Sequence, residues 1–240
     1  MISGRIITRA GLAVALGLAF AAGAGGVAVK GPLAVKSAVA GEKKKKHPGK
    51  RLYRRMTCIA CHGRDGKRAI QDYPNLAGQN KKYLIKQTKD IISGKRKGGK
   101  NAQGKDRASP MVGSLVTPEG KVRISDEQIE QIADYLAGLE PAKPKPAADL
   151  KPEDVEAGKK LYKKKRCKTC HGKAGKKPLK GYPYIAGQKA AYIFNQMVDV
   201  RDKTRKNGKI KTMYSFVKKL KDDEIRQIAA YLSTIDRTKK

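Results

Sequence analysis

The residues of this 240-residue chain whose types and spacing could do chemistry are its four cysteines. All four lie in two copies of one pentapeptide, "CIACH" at 58–62 and "CKTCH" at 167–171, and each copy ends in a histidine. Paired thiols of this kind serve disulfides, thioredoxin-like redox centres and zinc sites. None of these three chemistries explains why a histidine directly follows each second cysteine.

The two pentapeptides belong to two copies of a longer sequence. Residues 52–90 align with 161–199 at a constant offset of 109, and 16 of the 39 positions are identical. Residues 124–139 align with 220–235 at an offset of 96, so the first copy holds 13 extra residues between the blocks. We interpret the chain as one duplicated domain. Because each copy carries its own CxxC pair, a zinc ion shared between the pairs is disfavoured.

Helical patterns predict the fold class and the domain boundaries. Apolar residues recur at three- and four-residue steps in both copies, and no segment alternates like a strand. We therefore predict an all-α fold of two tandem domains with long loops. Four prolines between 139 and 154 indicate a semi-rigid linker. The predicted divisions are a first domain at 41–139, a Pro/Lys-rich linker at 140–150 and a second domain at 151–240.

The histidine is explained by a fourth chemistry, because Cys-x-x-Cys-His is the attachment signature of c-type haem. On one helical turn both cysteines lie on the same face, where they can bond the two vinyl groups, and the histidine lies under the iron. Thioether bonds would use all four thiols. We predict two haem c groups, attached through Cys58, Cys61, Cys167 and Cys170, with His62 and His171 as iron ligands.

The second axial ligand of each iron is predicted by elimination. The remaining histidine, His47, lies in a lysine-rich run outside the repeats, so two bis-histidine irons are excluded. Met56 lies two residues before Cys58, on the proximal side, and cannot reach the opposite face of the haem. Met197 aligns with a threonine, so it is not a repeated feature, and we predict that it packs in the core. Met111 and Met213 both lie between the aligned blocks, in a predicted loop before the last helix. We therefore predict Met111 and Met213 as the axial methionines, with core packing as the alternative.

Taken together, the two CxxCH motifs, the "YPxLAGQ"-like stretches and a methionine before each terminal helix resemble the dihaem class I cytochromes c4. The resemblance covers residues 50–235. It implies two domains wrapped around covalent haems, packed about a pseudo-twofold axis, in a periplasmic electron carrier. Because both irons would be six-coordinate, with no position open for a substrate, we predict that the protein is not an enzyme. It also implies that the carbonyls of Pro74 and Pro183, each 12 residues after the haem histidine, accept a hydrogen bond from that histidine.

The N-terminus predicts export. A basic start, an apolar run at 10–29 and the small residues before position 40 are typical of a secretory signal peptide. We predict that residues 1–40 are cleaved and that the chain is periplasmic. Two alternatives stay open: cleavage near 22–24, or retention of the run as a membrane anchor.

The charge predicts the kind of partner. The chain has 55 Lys and Arg against 21 Asp and Glu; without the four cations of the predicted leader the balance is 51 − 21 = +30. Export argues against nucleic acid. We expect acidic redox proteins as donor and acceptor, or an anionic membrane surface. The alternative for the lysines is a solvated surface without a partner.

The alternative function for the whole protein is a haem subunit of a periplasmic oxidoreductase, such as a sulfur-compound oxidase or a peroxidase-like enzyme.

Overall fold

A computed structural model describes residues 47–101 and 104–239 of the chain. The predicted signal peptide and its cleavage site lie outside these residues. The described part is helical and has no β-strand, only two isolated β-bridges, which confirms the prediction of an all-α fold. Among the described residues, no helix combines the length and the apolar character needed to cross a membrane.

Each copy contributes five helices in the same order. In the first copy they are α1 (Pro48–Arg55), α2 (Cys58–His62), α3 (Lys81–Ile92), α4 (Ser109–Leu115) and α5 (Asp126–Ala137). In the second copy they are α6 (Pro152–Lys164), α7 (Lys168–His171), α8 (Ala190–Arg201), α9 (Ile210–Val217) and α10 (Asp222–Ser233). A 3-10 turn, Lys173–Gly175, follows α7.

The first and last helices of each copy cross at very close range. Helix α1 packs on α5, and α6 packs on α10. A Cβ atom added to Gly49 would lie 1.9 Å from the carbonyl oxygen of Gln131, and one added to Gly158 would lie 1.8 Å from that of Gln227. Only glycine therefore permits this crossing. It brings the helix that leads into each CxxCH motif onto the terminal helix of the same copy.

The apolar core of the second copy gathers around this crossing. Tyr162 of α6 is 2 % exposed, and Ile225, Ile228 and Leu232 of α10 are at most 1 % exposed. The same cluster includes Met197, which was assigned to the core on sequence grounds and is 5 % exposed. In the first copy the buried residues form two smaller clusters, and one of them packs against Met56 and Met111.

The 13 extra residues of the first copy form two separate turns on either side of α4. One turn is closed by a bridge between Lys100 and Asp106, and the other by a bridge between Val116 and Val122. The offset between the copies is 109 at Lys100, 102 at Met111 and 96 after the second turn. The insertions therefore lengthen the chain before and after α4, and α4 keeps the same place in the order of helices as α9 in the second copy.

The prediction of loops around the two methionines proposed as axial ligands was wrong, because Met111 lies in α4 and Met213 in α9. Helix α9 has apolar residues at Ile210, Met213, Tyr214 and Val217, which is the spacing of one helical face. Helix α4 shows no such repeat. It starts at Ser109 with a proline in its first turn, which is the position where a helix tolerates proline.

Candidate haem sites

A left-handed residue precedes each CxxCH motif. Thr57 has φ 55° and Arg166 has φ 59°, so the chain turns sharply between the first helix of each copy and the one-turn helix that carries the motif. The glycine after each histidine has φ 78° at Gly63 and 72° at Gly172. A Cβ there would lie 2.7 or 2.1 Å from the backbone carbonyl oxygen five residues later. These constraints explain why the motif repeats as CxxCHG.

The four thiols are unpaired and half-buried. Burial raises the pKa of Cys58 and of Cys167 to about 11, so both thiols are protonated near neutral pH. A redox-active CxxC pair needs a thiol whose pKa is lowered. The environment of these cysteines is therefore unlike a thioredoxin-type centre and compatible with thioether attachment.

Each haem-motif histidine is held by a proline carbonyl. The Nδ1 atom of His62 lies 3.0 Å from the carbonyl oxygen of Pro74, and that of His171 lies 3.2 Å from the carbonyl oxygen of Pro183. Burial lowers the pKa of both histidines and outweighs the opposing effect of these hydrogen bonds. Each imidazole is therefore neutral, with Nδ1–H donating to the carbonyl and the Nε2 lone pair left for a metal.

One continuous cavity joins the two copies. It measures about 980 Å³, and all ten residues predicted for the haem sites line it: Cys58, Cys61, His62, Pro74, Met111, Cys167, Cys170, His171, Pro183 and Met213. The donor set fits two haems, because each copy presents two thiols, a neutral imidazole and a thioether to the same space. Met56 and Met197 also line the cavity, so the choice of axial methionine stays a prediction.

The glutamine of each repeated "AGQ" binds the other domain. Gln79 donates to the carbonyl oxygen of Tyr184 at 2.9 Å and accepts from the N–H of the same residue at 2.8 Å. Gln188 bonds the N–H and the carbonyl oxygen of Asn75 in the same way, at 2.9 Å each. Tyr184 and Asn75 directly follow the prolines that hold the histidines. The sequence signal for these residues was their identity in both copies, but it did not indicate what they bind.

Comparisons with known proteins agree with this arrangement. The cytochrome c family model matches residues 47–140 and 155–236. The chain is 34 % identical to cytochrome c4 of Azotobacter vinelandii over 184 residues, which are 73 % of this chain and 82 % of that protein. It is 30 % identical to a thiosulfate dehydrogenase electron acceptor of Stutzerimonas stutzeri over 189 residues, covering 75 % and 79 % of the two chains.

A solved structure shows the same fold. The crystal structure of reduced recombinant cytochrome c4 from Pseudomonas stutzeri superposes with a TM-score of 0.62 at 28 % identity, and the match covers 78 % of this chain and 96 % of the other. Two family matches in tandem, each with its own CxxCH motif, mean that the protein carries two covalently bound haem c groups and transfers electrons. The chain belongs to the cytochrome c4 family of dihaem class I cytochromes c.

Proposed function

We propose that this protein is a periplasmic electron carrier that passes electrons between membrane-bound or periplasmic redox complexes and catalyses no reaction of its own. The observation that carries the proposal is the lining of the cavity, to which each copy contributes a haem-motif histidine and, in Met111 or Met213, a thioether able to take the opposite axial position of an iron. An iron with both axial positions filled has none left for a substrate. Thioether ligation also favours reduced iron and raises the reduction potential.

The groups beside the cavity support a carrier. Asp72 is the one carboxylate among the described residues that line it, and its Oδ2 atom accepts a hydrogen bond from Asn195 at 2.7 Å. A peroxidase-like enzyme needs an open iron and acid and base groups beside it. The alternative of a haem subunit in an oxidoreductase draws some support from the relatives named as thiosulfate dehydrogenase electron acceptors. That name describes a protein that receives electrons.

Ligand-state spectroscopy tests the choice between carrier and enzyme. Both ferric haems should be low-spin and six-coordinate in electron paramagnetic resonance, and added cyanide should bind slowly because it must displace a methionine. Met213→Ala is the matched positive control, since it should open one iron and produce a high-spin signal. A high-spin signal from the unaltered protein would contradict the carrier and favour the enzyme.

The surface around the second haem motif supports an acidic partner. Residues 163–180 contain nine Lys and Arg and no Asp or Glu, whereas the equivalent residues 54–71 contain five cations and one acid. Lys163 and Lys164 are exposed at the end of α6, just before Cys167, while Lys165 forms an ion pair with Glu224 at 3.1 Å. We infer that partners dock at this edge of the second domain, guided by its positive charge.

Small charged oxidants test this docking surface without a purified partner. Oxidation of the reduced protein by ferricyanide, an anion, should slow steeply as salt rises, because exposed charges are screened within about 10 Å at 0.1 M. Changing Lys163 and Lys164 to Glu should flatten that dependence. The control changes Lys105 and Lys121 to Glu, which removes the same charge from the inserted turns of the first domain. Equal effects of the two double variants would show that only net charge matters.

The periplasmic location rests on the predicted signal peptide. Expression of the full chain followed by N-terminal sequencing of the exported product tests it, and the expected first residue is Gly41. An uncleaved chain that stays with the membrane would favour the anchored alternative.

A further inference from the structure

One lysine of the second domain reaches into the first. Lys189 lies directly before α8, and its Nζ atom donates to the carbonyl oxygen of Ala69 at 3.0 Å, to that of Ile70 at 3.3 Å and to that of Gln71. Gln71 has φ 44°, so the chain turns sharply at this point. An ammonium has three N–H donors, and all three are used here on one turn of the other domain.

The turn that Lys189 holds leads to the carbonyl that binds the first haem-motif histidine. It opens a segment, residues 69–75, that includes Pro74, whose carbonyl oxygen lies 3.0 Å from Nδ1 of His62. Beyond Pro74, the segment ends in the two backbone groups that Gln188 binds. The second domain therefore holds this segment on both sides of the proline carbonyl.

The contacts are unequal in the two directions. The equivalent segment of the second domain, residues 178–184, accepts and donates hydrogen bonds across the junction only at Tyr184, with Gln79, among the described residues. The three residues that make the additional contacts to the first domain's segment, Lys189, Asn195 and Asp72, correspond in the other copy to Asn80, Lys86 and Gly181. Asn80 instead caps α3 of its own domain, where its Oδ1 atom accepts from the N–H of Tyr83 at 3.1 Å.

The hydrogen bond between His62 and Pro74 depends on where this segment lies. A hydrogen bond at Nδ1 fixes the orientation of a metal-binding imidazole and raises the basicity of its other nitrogen. The segment is a loop without helical hydrogen bonds, so its position must come from contacts with other parts of the chain. The bonds from Lys189 are charge-assisted and therefore stronger than neutral ones. Because Lys189 is half-buried, water competes less for the three carbonyls.

We propose that Lys189 is a positioning residue for the first haem: from the second domain, it holds the turn that keeps the Pro74 carbonyl on His62. Among the described residues, the first domain makes no equivalent contact to the turn that follows His171. The packing of the two domains therefore sets the orientation of one haem-motif histidine and leaves the other to its own domain. The proposal rests on the assignment of both histidines as iron ligands.

Proton exchange at the histidine Nδ1 atoms, measured by nuclear magnetic resonance, tests this in the reduced protein with both haems. The chain has three histidines, so isotopic labelling of histidine gives few resonances. Nuclear Overhauser effects identify His62 by Tyr73 and His171 by Tyr182, whose ring centroids lie 6.3 and 6.2 Å from the imidazoles. In Lys189→Met, exchange at His62 should become about tenfold faster, the effect of one lost charge-assisted hydrogen bond on a local opening equilibrium. Exchange at His171 should not change.

Three further variants complete the test. Lys160→Met removes the same charge from an exposed lysine of α6 and should leave both exchange rates unchanged. Lys189→Arg keeps the charge and the donors and should restore part of the protection. If Lys189→Met does not fold, Asn195→Ala decides, because it removes the neighbouring bond to Asp72 and should also speed exchange at His62.

Equal acceleration at both haem-motif histidines, or none at His62, would overturn the proposal. A separate outcome concerns its foundation: if neither imidazole shows the large ring-current shift of a haem ligand, the assignment of the iron ligands is refuted and the proposal falls with it.

Discussion

Replacing Gly158 by alanine probes the helix crossing that presents the second haem motif. The new Cβ would lie 1.8 Å from the carbonyl oxygen of Gln227 and 2.9 Å from the Cβ of Tyr231. Carbon contacts are optimal near 3.5–4.0 Å, so α6 and α10 must separate by roughly 1.5 Å. Overpacking of this kind costs about 1–3 kcal/mol or more, because a backbone atom is struck, and alanine returns about 1 kcal/mol of helix propensity. We expect a net loss of about 2 kcal/mol.

Thermal unfolding followed at the haem absorbance and by far-ultraviolet circular dichroism measures this loss. For a chain of this size, about 2 kcal/mol lowers the Tm by roughly 4–8 °C. The matched control is Gly113→Ala in α4, where the glycine is exposed and no atom lies within 4 Å of the added Cβ. That change should raise the Tm slightly through helix propensity. The reasoning is refuted if Gly158→Ala is as stable as the control.

Three further predictions concern the haem sites and the domain junction. Met111→Ala should abolish the near-infrared methionine-to-iron band of one haem and lower its potential, whereas Met56→Ala should leave the band in place; the reverse result would reassign the ligand. Cys167→Ala should leave one haem attached, in the first domain only, as measured by mass and by haem-stained proteolytic fragments; loss of both haems would contradict independent sites. Gln188→Ala should destabilise the protein by about 1–3 kcal/mol in denaturant unfolding, because two half-buried backbone groups of Asn75 lose their partner; an unchanged midpoint would mean that water replaces the glutamine.

Local patterns predicted most of the helices. Helix α6 has Pro152 in its first turn, and three acidic residues lie in the first turn of α10, so both starts are marked in the sequence. These signals act between residues that are close in sequence, through capping and the helix dipole. They therefore do not depend on tertiary contacts. The apolar face of helix α9 is visible in the sequence, but this segment was predicted as a loop. Helix α4 has no such face, and packing of Leu115 and Met111 against the first-domain core accounts for it.

The pentapeptides by themselves determined the chemistry of the two haem sites. Attachment through two thioethers and one imidazole needs only five consecutive residues in a helical conformation. The alignment of the two copies shows that the chain contains two such motifs. The two glycines that follow are likewise explained by a local turn.

Only the tertiary structure decided what joins the two halves. Gln79 meets Tyr184 across 105 positions of sequence, and Arg205 meets Gln87 across 118. No local pattern specifies such partners, because a glutamine or an arginine binds whichever acceptor the packing of the two domains brings within about 3 Å. The repeat marked several of these residues as equivalent. Their contacts across the junction follow from how the two copies face each other.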